Sequence, residues 1–141
     1  MMMRILLAIG LAGFFVPSNA NSLQKLAPFS TDGCSLFPNG TPEKPNLWLH
    51  CCKAHDLDYW QGGTRAQRLL SDLKLQQCVA DTGQAEIAIL MFNGVRVGGS
   101  PALPTPFRWG YGWPFSKKYG ELTAIERYQI KQLFPAKYLV Q

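Results

Sequence analysis

The 141-residue chain has no run of basic residues and no nucleic-acid-binding motif, which sets nucleic acid aside as a partner despite a formal charge of +5. Charged residues are sparse at 16%, with 14 basic against 9 acidic side chains, a mild balance that suits an anionic membrane surface without requiring one. Beyond Val16 no apolar stretch is long enough to span a bilayer, and Ala85 to Phe92 is far too short. No internal repeat is present, so solenoid and array architectures are excluded.

The chain opens like an export leader. Arg4 precedes an apolar run from Ile5 to Val16, and Ser18-Asn19-Ala20 places small residues where a signal peptidase cuts. Cleavage after Ala20 is expected, leaving residues 21–141 as one exported domain, periplasmic or secreted. No cysteine follows the apolar run, which excludes lipoprotein processing. The four cysteines, Cys34, Cys51, Cys52 and Cys78, form an even set suited to two disulfides. Cys51 and Cys52 are adjacent on an expected helix and cannot comfortably bond each other, so each takes a different partner and two pairings stay open.

Residues 21–46 read as an arm and loop broken by Pro28, Pro38, Gly40, Pro42 and Pro45. Asn46 is the expected N-cap of a helix from Leu47 to Gln61, which Gly62-Gly63 ends. Thr64 and Gln67 form a capping box for a second helix reaching about Val79. A two-glycine connection folds the two helices back antiparallel. A third helix is expected over Gln84–Phe92, stopped at Asn93-Gly94, with an aromatic loop of about 25 residues after it. A last helix over about Thr123–Phe134 opens with a Thr-x-x-Glu box and closes at Pro135.

The first helix carries the chemistry. Cys51, Cys52 and Tyr59 lie within about 60° of His55, and Asp56 sits about 100° round. A carboxylate at Asp56 can hold a hard cation while the neighbouring imidazole stays free to take a proton from water. That imidazole needs its far nitrogen held by a carboxylate. The partner helix offers Asp72; Asp58, three residues along the same helix, is the rival and is worse placed. One carboxylate is too few for calcium, and the loop Ser30–Gly40 can add oxygens, with Asp32 and Gly33 the first candidates and the Ser35 N–H an oxyanion donor. A zinc site from His50, Cys51, Cys52 and His55 is disfavoured, because adjacent cysteines have the wrong spacing.

Cys-Cys-x-x-His-Asp-x-x-Tyr, here Cys51, Cys52, His55, Asp56 and Tyr59, resembles the active-site helix of secreted phospholipases A2. Asp72 and Cys78 hold the spacing of that family's second helix. Ser71-Asp72-Leu73-Lys74-Leu75 is similar to an element of its viral branch, and Ser30-Thr31-Asp32-Gly33-Cys34 to the short calcium loop of its microbial branch. The resemblance covers about Ser30 to Cys78. It implies a mainly α fold: a disulfide-linked antiparallel helix hairpin with a calcium loop and extra C-terminal helices. It further implies disulfides Cys34–Cys52 and Cys51–Cys78, and His55 as base, oriented by Asp72, which Tyr59 hydrogen-bonds. Calcium would be bound by Asp56, Asp32 and a carbonyl near Gly33, and the reaction would be hydrolysis of the sn-2 ester of glycerophospholipids by a monomer. A catalytically inactive module that binds lipid or protein is the alternative. Trp109, Tyr111 and Trp113, with Lys117 and Lys118 just beyond, are expected to dock on the membrane.

Overall fold

A computed structural model describes residues 24–138. The expected leader and its cleavage site lie outside the described residues. Four α-helices and no strands are found among those residues: α1 Leu49–Gln61, α2 Arg65–Asp81, α3 Ala85–Gly98 and α4 Ala124–Leu133, with a 3-10 turn at Ala136–Tyr138. None of these helices is long and apolar enough to cross a membrane.

The local signals place α2 and α4 well. Thr64 Oγ1 accepts from the Gln67 N–H while the Gln67 side chain returns to the Thr64 N–H, and Thr123 and Glu126 repeat the arrangement. The other two helices depart from expectation. Pro45 to Trp48 form a turn, so α1 starts two residues late at Leu49, and Asn46 contributes its carbonyl to the Leu49 N–H rather than a side-chain cap. α3 runs through Asn93-Gly94 to Gly98 because its last turn is anchored from α2: Arg68 Nη2 donates to the carbonyls of Val95 and Arg96. Two fixed carbonyls outweigh the weak local preference of one Asn-Gly pair to stop.

Both disulfides form, Cys34–Cys52 and Cys51–Cys78, with Cα separations of 5.0 and 5.7 Å. Cys51 lies in the first turn of α1 and Cys78 in the last turn of α2, so the two helices run antiparallel. Two apolar clusters sandwich α1. On one side Cys51 and Cys52 pack with Trp48, Leu75, Val79, Ala88 and Met91; on the other Leu57 and Trp60 pack with Leu26, Trp113 and Ile130. His55 is buried on the cysteine face of the helix, and Asp56 lies at its edge toward Trp60.

The aromatic loop joins this second cluster through Trp113 and Tyr111, and Trp109 packs edge-on against Tyr59, which corrects the expected membrane role of the tryptophans. Trp109 and Trp113 are each 2% exposed, and Tyr111 is half-buried with its hydroxyl donating to the Ser30 carbonyl at 2.5 Å. The physical reason lies at the end of α1. A helix leaves its last four carbonyls without intrahelical donors. Here Asp58 O takes the Gly62 N–H, Tyr59 O the Gly110 N–H, Trp60 O the Gly112 N–H and Gln61 O the Trp113 indole N–H. The Trp109 indole donates to Gly63 O in the same way. Glycine is required at these contacts, since a Cβ on Gly62 would lie 3.0 Å from the Gly110 Cα and one on Gly112 only 2.4 Å from Trp60.

Candidate functional site

His55 and Asp72 meet across the α1–α2 interface. His55 Nε2 and Asp72 Oδ1 are 2.8 Å apart, with His55 7% exposed and Asp72 fully buried. The two-glycine connection therefore gives the helices a register that joins the pair. Asp58 makes no hydrogen bond or ion pair with the ring, whose partner is Asp72; its carbonyl serves the Gly62 N–H. Tyr59 stacks against His55 with ring centroids 4.2 Å apart and donates its hydroxyl to Asp72 Oδ1 at 2.8 Å. Burial first, and the Asp72 charge second, push the Tyr59 phenol above its ordinary pKa, so it stays a donor.

Sequence reasoning missed two members of this network. Arg96, in the last turn of α3, donates from Nη1 to Asp72 Oδ2 at 2.5 Å. Arg68, 3% exposed, lies one turn before Asp72 on α2 and donates from Nε to the Tyr59 hydroxyl at 3.1 Å. Its remaining nitrogens reach Tyr119 Oη and the two α3 carbonyls that fix the segment bearing Arg96. Burial alone would raise the Asp72 pKa. Hydrogen bonds from His55, Arg96 and Tyr59 outweigh it and hold the carboxyl below the usual range. Asp72 is thus held as an ionised acceptor at neutral pH, with His55 on one oxygen and Arg96 on the other. The only available signal for Arg68 was its i,i+4 spacing to Asp72 on α2. Arg96 gave none, because its partner lies on another helix.

Asp56 projects beside this pair toward the loop that the Cys34–Cys52 disulfide holds. Thr31 Oγ1 donates to Asp56 Oδ2 at 2.6 Å, and Asp32 is close enough for its charge to act on Asp56. Burial foremost, with Asp32 adding and the Thr31 hydrogen bond opposing, pushes Asp56 up to about 7. Asn39, also missed, organises the loop: its Oδ1 accepts the Cys34 N–H and its carbonyl the Trp48 N–H. Gly33 turns there with φ 84°, where a Cβ would lie 2.5 Å from Asn39 Oδ1. The donors brought near one another are hard oxygens: the Asp56 and Asp32 carboxylates and the Thr31 hydroxyl. An acid that burial and a second acid hold partly protonated is a place where a divalent cation gains most. The residues fit a hard cation.

Ser35 (φ 36°) and Leu36 (φ 59°) come next in left-handed conformations uncommon for non-glycine residues. Ser35 Oγ donates to Asp32 Oδ1, and among the described residues no acceptor takes the Ser35 N–H. Strained backbone of this kind is typical of ligand-binding loops. The second grouping of metal-binding side chains, His50, Cys51 and Cys78, holds its two sulfurs in a disulfide and offers no thiolate.

A cavity of about 420 Å³ opens between the loop and α3. His55, Asp56 and Tyr59 form its polar end, and Leu36, Phe37, Leu75, Leu90, Met91 and Phe107 are among its apolar lining. Its size and character are those of a small-molecule site. Comparison with protein-family models, with curated proteins and with solved structures finds no match for this chain.

Proposed function

We propose that the protein is a calcium-dependent hydrolase of the phospholipase A2 type, cutting the sn-2 ester of glycerophospholipids with a water activated by His55. One observation carries the reading: a buried imidazole held by a buried carboxylate at 2.8 Å, at the polar end of an otherwise apolar cavity.

Asp72 holds the His55 Nε2–H, which fixes the tautomer and leaves Nδ1 with its lone pair for the proton of a water. The imidazolium that forms is stabilised by the same carboxylate. Tyr59 and Arg96 are positioning residues that keep Asp72 ionised and aimed. The Ser35 N–H is the oxyanion donor. Calcium, held by Asp56, Asp32 and a carbonyl near Gly33, would polarise the ester carbonyl. The apolar lining excludes bulk water and accepts the hydrocarbon part of the substrate. Leu36, 94% exposed, and Leu90, 56% exposed, border the same cavity and take the surface-contact role first expected of the tryptophans.

The test is hydrolysis of mixed phospholipid vesicles by purified protein with and without a calcium chelator. Turnover that chelator abolishes and calcium restores is expected. Vesicle binding without turnover in either condition overturns the reading in favour of an inactive lipid-binding module.

A further inference from the structure

The two ends of the Cys51–Cys78 disulfide stand in unlike surroundings. Cys51 is 1% exposed within the apolar cluster, whereas Cys78 is partly exposed and lines an open depression of about 410 Å³. That depression shares no lining residue with the cavity at His55. Exposed His50 lines it too, and brings Nε2 to 3.4 Å from Cys51 Sγ. A disulfide sulfur is a weak acceptor and gains little from an imidazole, but a thiolate on the same atom would gain much. The Cys34–Cys52 bridge differs, since among the described residues no hydrogen-bond donor reaches either of its sulfurs.

Thiol–disulfide exchange needs one sulfur that an incoming thiolate can reach and another that leaves easily. Cys78 meets the first need, and Cys51 with His50 beside it meets the second. We propose that Cys51–Cys78 is an exchangeable disulfide, attacked at Cys78 by a small thiol while His50 stabilises the departing Cys51 sulfur. The incoming thiolate bonds to Cys78 Sγ, the Cys78–Cys51 bond breaks, and its electron pair goes to Cys51 Sγ. His50, entering as the imidazolium, supplies the proton that Cys51 Sγ takes up. The external sulfur is oxidised into a mixed disulfide on Cys78 and Cys51 is reduced, so the thiol is the only co-reactant. Lys74 lines the same depression and draws a thiolate, while the Asp81 carboxylate there accepts from Gln77 Nε2 at 2.7 Å. Exchange unties the cysteine end of the hairpin. The Gly62-Gly63 connection is then the one direct covalent link between α1 and α2, and the His55–Asp72 contact lies between the two ends. None of this rests on the hydrolase reading.

The experiment exposes the full protein and His50→Gln to reduced glutathione, quenches at intervals with N-ethylmaleimide, and locates both labels by non-reducing peptide mapping. Glutathione on Cys78 with maleimide on Cys51 is expected, before any opening of Cys34–Cys52. His50→Gln is expected to slow that exchange on the order of tenfold. Opening of Cys34–Cys52 is expected to stay unchanged, and it serves as the folding control, because a loosened variant opens both bridges faster. In that event the site of the adduct in the unsubstituted protein still decides. Glutathione on Cys51, prior opening of Cys34–Cys52, or an unchanged rate in folded His50→Gln overturns the proposal.

Discussion

Asp72→Asn changes one atom in a fully buried side chain on which three hydrogen-bond donors converge. The carboxylate accepts from His55, Tyr59 and Arg96, and Arg68 Nε stands 3.8 Å from Oδ2. Asparagine keeps the volume and one acceptor. Its amide nitrogen must then face either the Arg96 guanidinium or the His55 and Tyr59 donors, and the buried Arg68 loses its nearest negative charge. Breaking a buried charge network from one side costs about 3–5 kcal/mol. For a domain of this size that lowers the melting temperature by on the order of 15 °C. His55→Gln removes the base yet retains a donor toward Asp72 Oδ1, so its cost is about 1 kcal/mol or less. Both variants are expected to lose turnover, and thermal unfolding followed by circular dichroism separates them. Asp72 is held below the ordinary carboxylate range, so its contribution is complete above about pH 4 and fades only as pH falls through the lower native value. The stability gap between wild type and Asp72→Asn therefore narrows in strong acid. An Asp72→Asn protein within about 1 kcal/mol of wild type at neutral pH would refute the network argument.

The same geometry carries other expectations. His55→Gln is expected to lower turnover by about 100-fold or more while the far-ultraviolet spectrum stays native; near-normal activity would remove His55 as the base. In cation-free protein Asp56 keeps its proton up to about 7, whereas the unfolded chain loses it near pH 4, so stability falls as pH rises across that interval. Asp56→Asn is expected to flatten this fall, and parallel melting profiles in chelator would contradict it. Trp113→Ala is expected to cost about 3–5 kcal/mol and to depress hydrolysis of vesicles and of a soluble short-chain ester alike. Leu36→Ser is expected to leave the melting temperature unchanged and to weaken action on vesicles alone. Non-reducing peptide mapping is expected to recover Cys34 with Cys52 and Cys51 with Cys78, and free thiols would count against both bridges.

What the sequence revealed of this fold depended on how local each cause was. The caps at Thr64 and Thr123 are four-residue patterns whose energetics are complete within the pattern, and both stand in the structure. The meeting of His55 with Asp72 was legible because an imidazole base needs a carboxylate and Asp72 is the one that the antiparallel helix offers, whereas Tyr59 as the partner of Asp72 was legible only through the resemblance. The end of α3 was illegible for the opposite reason. Asn93-Gly94 is a local stop signal, and it is overruled by Arg68, whose contact with Val95 spans 27 positions of the chain. Arg96 was unreadable as a partner of Asp72 on the same ground. The tryptophans show a third case, where composition misled. Aromatic residues alternating with glycine suit a membrane surface, yet the glycines here let the loop backbone come close to α1, and its indole N–H groups find the carbonyls of Gln61 and of Gly63 just past the helix end.

The closing of α1 by residues 110–113 also sets an order of events during folding. Cys51, Cys52 and their partners lie within the first 78 residues, so the disulfide frame can assemble from the N-terminal part of the chain. The last turn of α1, which carries Tyr59, receives its final donor from Trp113, 52 positions later. Those distant donors carry the entropic burden of a long chain closure, and they arrive last in a chain made or exported from its N-terminus. The last turn of α1, and with it the setting of Tyr59 beside His55 and Asp72, is complete only once residues 110–113 have docked.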